Sequence, residues 1–228
     1  MMAFLDDVHQ YCAMARPKEQ AARKRELVGA AGRAIVTRGV RGLRVKDVAG
    51  EAGISPGLVS YYYPELDELL VDVHAHSVDR FYWARMRQLE GVPTAAGRLR
   101  ALAEGGLPSG PDDELCRTLY ELHLHATHDR THAALMTSLF DREVSLYAMV
   151  LQQGHDDGEL VLVAPAVDVA TNAVALEDAY GLHVVARNSR VDVGRARSLL
   201  LGYLSTATGA DLTDDALELS APAPDARG

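Results

Sequence analysis

With 228 residues and a formal net charge of −9, the chain can bury a substantial core, as one domain or as a small domain joined to a larger one. Cys12 and Cys116 stand far apart in no CxxC pattern, which excludes a disulfide framework and fits a reducing cytosol. No apolar run reaches the length of a membrane span, and Asp6 and Asp7 stand where a signal peptide needs basic residues, so a cytoplasmic protein with no membrane partner is expected.

Helical period runs through almost every segment and strand alternation through almost none, so the fold class is expected to be all-α. Leu5, Val8 and Cys12 on one face suggest a short extra helix in residues 1–13, and Met14 before a basic run resembles a natural start; residues 1–22 are therefore read as an N-terminal extension. A helix is predicted over Lys24–Arg38, with Leu27, Ala30, Ala31, Ala34 and Ile35 inward and Gly39 as its stop. Val45, Val48, Ala49 and Ala52 then form one apolar stripe at i, i+3, i+4 and i+7. Gly53 supplies the positive-φ residue of a sharp turn. Ser55 caps a second short helix, and Pro56 fits its first position, where no backbone N–H is required. These two helices read as a helix-turn-helix, which argues for DNA binding.

Charge supports that reading. Residues 16–50 hold ten basic and three acidic residues, a local charge of +7 that leaves −16 for the rest of the chain. A cationic N-terminal face on an anionic body steers one end onto a phosphate backbone.

Further on, a long helix is predicted from Pro64 or Glu65 towards Glu90, where Gly91, Val92 and Pro93 break it. Thr94 caps a helix to about Leu107, Asp112 one to about Thr127, and Asp129 one to His155. Pro165 opens a helix to about Arg187, Asp192 caps the last, Gly209 ends it, and residues 210–228 are read as a flexible tail. The helix after Pro165 is apolar on nearly all sides, and the last adds Leu199, Leu200, Leu201, Tyr203 and Leu204. Such helices must be buried on more than one face, and a two-fold mate in a homodimer is the preferred explanation. No nucleophile elbow, HExxH, P-loop or dinucleotide fingerprint occurs, so neither a catalytic residue nor a cofactor is expected.

The stretch from Ala30 to Leu70, including RGVRGLRVKDVAGEAGISPGLVSYYYPELDELL, resembles the DNA-binding domain of TetR-type bacterial transcriptional regulators over its full length. Glycine, cap, aromatic run and proline sit at matching spacings. The remaining two thirds are similar in helix number and length, most like the subgroup that includes the choline-responsive BetI repressors. The resemblance implies an N-terminal three-helix DNA-binding domain at residues 23–68 and a C-terminal helical effector-binding and dimerisation bundle at residues 69–209. It also implies a repressor that works as a homodimer on double-stranded operator DNA and is released from a palindromic site by a small-molecule effector. Carried over residue by residue, Arg44 and Lys46 face phosphates, and the recognition helix from Ser55 to Tyr62 enters the major groove. Ser55 and Gly57, with Pro56 between them, approach the backbone; Leu58 and Tyr61 point to base edges; Ser60 and Tyr62 contact the sugar–phosphate flank. Ile54, Val59 and Tyr63 fall to the core. Three positions depart from the family habit: Arg44 in place of threonine, Ser60 in place of tyrosine and Leu66 in place of lysine. Arg41, Arg44 and the basic arm before Lys24 are the replacements for the lost phosphate contacts.

The effector pocket is expected among the linking helix and the helices at 112–127, 130–155 and 165–187. Phe81, Trp83, Tyr120, His123, Met149, Asn172, Glu177, Tyr180 and His183 are its candidate lining. Aromatic walls with a few polar groups suit an amphipathic ligand, and aromatics with Glu177 suit a cationic amine. Ordinary core or surface packing accounts for most such residues, and about a third are expected to line a pocket. His125, His128 and His132 at i, i+3 and i+7 offer an alternative, a metal-responsive regulator, although a helix break at Asp129 would misplace them. A helical enzyme or carrier is the remaining alternative.

Overall fold

The computed structural model describes the backbone of residues 3–213 and the side chains from residue 19 onward. Among these residues there are nine helices and no strand: α1 (Ala3–Arg38), α2 (Val45–Ala52), α3 (Pro56–Tyr62), α4 (Leu66–Gln88), α5 (Ala95–Gly106), α6 (Glu114–His125), α7 (Arg130–Asp156), α8 (Ala166–Val185) and α9 (Val193–Thr208). The expected all-α class holds. None of the helices is long and apolar enough to cross a membrane. Of the tail expected at 210–228, residues 214–228 lie outside the described residues, while Leu212 is buried in a hydrophobic core and its N–H donates to Ser205 at 3.1 Å, so the expected flexibility does not begin at 210.

The helix expected in residues 1–13 is not a separate element: α1 runs unbroken to Arg38. No glycine lies between Met1 and Lys24, and Pro17 removes one helical hydrogen bond without supplying a turn. The predicted ends elsewhere are met within a few residues, because local chemistry sets them. Thr94 accepts from the Gly97 N–H at 3.1 Å, Asp129 from Thr131 and His132 at 2.7 and 3.1 Å, and Asp192 from Arg195 at 2.7 Å. Gly39 and Gly209 end α1 and α9 at φ 69° and 68°. One cap is shifted. Asp113, rather than Asp112, holds the start of α6, accepting from the Cys116 N–H at 3.0 Å and from the Ser109 N–H at 3.0 Å. Asp112 instead pairs with Arg187 at 2.6 Å.

The chain divides into two compact units, residues 1–78 with 117–135, and residues 79–116 with 136–228. The first has its own core. Leu27, Ala30, Ala31, Ala34 and Ile35 of α1 pack with Val48, Ala49, Val59, Leu69, Val73 and Leu122. The α1 residues follow the i, i+3, i+4, i+7 rule of one buried helix face.

The second unit closes around Leu99, Leu102, Leu146, Tyr147, Leu151, Ala170, Val174, Leu200, Leu201 and Leu204. After α7 the chain runs extended along the end of α9, where the Val161 and Val163 N–H groups donate to Thr208 and Ala207 carbonyls at 2.8 and 3.1 Å. Those bonds satisfy last-turn carbonyls that a helix leaves orphaned. In α8, Val169, Ala170, Ala173, Val174 and Val184 are buried, while Val167, Ala175, Ala179 and Leu182 are exposed. Cys116 is buried as a free thiol, and burial beside Asp113 pushes its pKa far up.

Candidate nucleic-acid interface and buried charge clusters

The α2–turn–α3 element is built by three local devices. Asp47 accepts from the Arg44 N–H at 3.0 Å, which closes the entry to α2 from one side. A guanidinium has no acceptor, so Arg44 cannot return the bond in the way a threonine would, and its side chain stays exposed. At the turn Gly53 has φ 68°, and the Ile54 N–H donates to the Ala49 carbonyl at 3.0 Å. Ser55 then accepts from the Leu58 N–H at 3.3 Å, with Pro56 at the first helical position.

Two side chains pin α3 from behind. Val59 and Tyr63 are 1% and 2% exposed. The Tyr63 hydroxyl donates to Asp72 at 2.7 Å, and the Lys24 ammonium lies 4.5 Å from the Tyr63 ring centre. Burial and the Asp72 carboxylate raise the Tyr63 pKa, so the phenol keeps its proton. The front of α3 is open: Leu58 and Tyr61 are 38% and 68% exposed. Ser55, Pro56, Gly57 and Ser60 are exposed, Tyr62 is half-buried edge-on to Tyr61, and Arg44 and Lys46 are exposed at the start of α2. Arg33 holds α1 to α2 through Glu51 at 3.2 Å.

Four imidazoles meet in the same unit. His74 of α4 and His132 of α7 join Nδ1 to Nδ1 at 2.9 Å, with His123 5.5 Å from His74 and His125 edge-on to His132 at 4.9 Å between ring centres. The Nε2 atoms of His74 and His123 are buried without a partner. Burial holds the His74 pKa down to about 3 and that of His123 down to about 4, so these two rings are neutral at pH 7.

In the second unit, Arg85 of α4 is fully buried between two carboxylates. Its Nη1 donates to Glu143 of α7 and, at 2.9 Å, to Glu177 of α8; its Nη2 donates to Glu177 at 2.9 Å and to the Leu102 carbonyl at 3.1 Å. The Tyr147 hydroxyl donates to Glu177 at 2.5 Å. The Phe81 and Tyr147 rings lie 5.7 and 5.4 Å from the guanidinium carbon. One cation therefore faces two carboxylates. Burial, with the Glu177 charge, pushes the Glu143 pKa up to about 8 against the pull of Arg85. Gly106 of α5 gives the cluster room, since a Cβ there would overlap the Glu177 carboxylate.

No family model and no curated protein matches the sequence. Solved structures do. A candidate transcriptional regulator from Saccharomonospora viridis, solved in complex with choline, matches with a TM-score of 0.76 at 23% identity, over 82% of this chain and 98% of that one. A candidate TetR-family transcriptional regulator from a Rhodococcus species matches with a TM-score of 0.71 at 27% identity, over 82% and 98% of the two chains. The transcriptional regulator FadR from Bacillus subtilis, in complex with stearoyl-CoA, matches with a TM-score of 0.65 at 15% identity, over 81% and 98%.

The fold is that of the TetR family. These TetR-type neighbours are transcriptional regulators rather than enzymes.

In this chain the residues expected at an effector site are scattered. Phe81 and Glu177 meet at Arg85; Tyr120 and Tyr180 are half-buried; Trp83, Met149, Asn172 and His183 are exposed; and His123 joins the imidazole cluster of the other unit. Asp178 is half-buried beside the buried Glu177, as adjacent helical residues must diverge. The three histidines offered for a metal do not assemble. The 126–129 turn separates α6 from α7, His128 is exposed, and His132 is committed to His74. Among the described residues no three histidine, cysteine or acidic side chains are grouped to hold a metal ion.

Arg85, Glu143, Tyr147 and His74 escaped the sequence reading. Each nevertheless sits on an apolar stripe: Arg85 with Val78, Tyr82 and Leu89, and Glu143 with Leu139, Leu146 and Val150. A charged residue at a core register is the signal that finds such clusters.

Proposed function

We propose that the chain is a DNA-binding transcriptional regulator, acting as a repressor that leaves a palindromic operator when a small molecule binds its C-terminal bundle. The carrying observation is α3: Val59 and Tyr63 fix it from behind while Leu58 and Tyr61 stand free in front, with Arg44 and Lys46 exposed nearby. Arg44, Lys46, Ser55, Pro56, Gly57, Leu58, Ser60, Tyr61 and Tyr62 form the proposed DNA contact set. A homodimer places two such helices roughly 34–36 Å apart, one duplex turn. The exposed Val167, Ala175, Ala179 and Leu182 of α8 support the pairing surface. The functional division runs 23–68 for DNA and 69–209 for effector and dimer, flanked by the 1–22 extension and the 210–228 tail, and the protein works in the cytoplasm.

A cation is the favoured effector class. Glu143, Glu177 and the Phe81 and Tyr147 rings already surround one cation, the Arg85 guanidinium, and a cationic effector would take its place beside them. Choline in the Saccharomonospora viridis neighbour agrees with that class. Titrating the protein against its own upstream DNA at two salt concentrations tests the proposal. Selective, salt-sensitive binding that choline or another amine weakens supports it. Binding without sequence preference, or none, overturns it.

A further inference from the structure

A cavity of about 470 Å³ opens in the N-terminal unit, away from α3 in sequence and lined from two sides. The end of α1 and the turn after it contribute Arg38 and Arg41; α6 and its following turn contribute Glu121, Leu124, His125 and His128. This volume lies in the usual range for small-molecule sites, roughly 300–1,000 Å³.

Cations outnumber the carboxylate in the lining two to one. Arg38 and Arg41 are exposed, and among the described residues neither guanidinium forms an ion pair. The carboxylate in the wall is already engaged, since Glu121 accepts from the Val40 N–H at 3.1 Å and packs against Gly39. Leu124 is 68% exposed, an apolar surface beside the cationic groups. His125 and His128 add imidazole N–H donors. We propose that this cavity is a binding site for a small organic anion, a phosphate or carboxylate carried on a short apolar body, gripped by Arg38 and Arg41 with Leu124 under its apolar part. Guanidinium forks match both head groups.

The site would also be placed to regulate. Its arginines flank the turn that leads into Arg44 and α2, and His125 touches His132, which is bonded to His74 of α4. An anion bridging the α1–α2 turn to α6 would stiffen the entry to the helix-turn-helix.

Calorimetric titration of the full chain with phenyl phosphate, benzoate and inorganic pyrophosphate tests the assignment. Saturable binding of phenyl phosphate or benzoate is expected, and which of them binds tighter names the head group. Arg38→Gln and Arg41→Gln should each weaken binding about tenfold, His128→Gln should weaken it less, and Arg190→Gln should leave it unchanged, with helical circular dichroism confirming the fold of each variant. No saturable binding by any probe overturns the proposal, as does binding indifferent to both arginine variants. If operator DNA displaces the probe and both arginine variants lose DNA affinity in equal measure, the arginines are duplex contacts and the proposal fails. Operator binding measured without any anion keeps a failure of the DNA reading separate from a failure of this one.

Discussion

His74 and His132 share a hydrogen bond between like atoms, Nδ1 to Nδ1 at 2.9 Å, with their rings stacked 19° from parallel. One ring must donate and the other accept, so the pair exists only while at least one imidazole is neutral. Acid should therefore loosen the N-terminal unit. His74 and His123 titrate near 3 and 4 when folded, against about 6.5 unfolded. A depressed folded pKa means that the unfolded chain binds the extra proton first. The full stability is present above pH 6.5 and declines as pH falls towards 3. Asp67 and Asp129 face His132 and partly offset the loss there. Urea unfolding followed by circular dichroism should show a lower midpoint at pH 5 than at pH 7, with His74 alone accounting for roughly 2 kcal/mol. A His74→Leu variant should flatten that dependence; an unchanged profile would count against a neutral His74.

Replacing Arg85 by methionine should be among the most damaging single changes. It leaves Glu143 and Glu177 buried together without their cation, and breaking such a group costs about 3–5 kcal/mol. Adding Glu177→Gln to that variant should recover part of the loss, because one of the uncompensated charges is gone. Denaturation midpoints of the three proteins measure this directly.

Gly106→Ala tests the same cluster from α5. The added methyl would enter the space of the Glu177 carboxylate, and overpacking of this kind costs roughly 1–3 kcal/mol. Gly110→Ala, where nothing lies within 4 Å of the new atom, is the matched control and should be much milder in a melting experiment.

On the DNA side, Tyr61→Ala should reduce operator affinity by roughly 1–3 kcal/mol without changing the melting temperature, since the ring is 68% exposed. Lys46→Ala should weaken binding to all sequences alike and lower the salt slope by about 1. Filter binding across a salt series separates the two effects.

What could be read from the sequence was what neighbouring residues decide among themselves. Gly53, Ser55 and Pro56 fix the α2–α3 turn within four positions, and Thr94, Asp129 and Asp192 cap helices within three. Arg85 reaches Glu143 and Glu177 across 58 and 92 residues; no periodicity announces which charged side chains will meet. The scattered effector candidates have the same cause. Trp83 and Met149 are large and apolar, yet helix rotation leaves them 54% and 51% exposed, and residue type alone does not reveal which way a helix face turns. Propensity cannot distinguish the adjacent Asp112 and Asp113 as caps, and it is Asp113 that holds the start of α6.

Cys116 gives the second unit a built-in reporter of its own opening. At 6% exposure its sulfur should react with an alkylating reagent only when the surrounding helices part. In a Cys12→Ser background, the labelling rate in native buffer would time those excursions, and its response to added choline would read effector binding with no DNA in the tube.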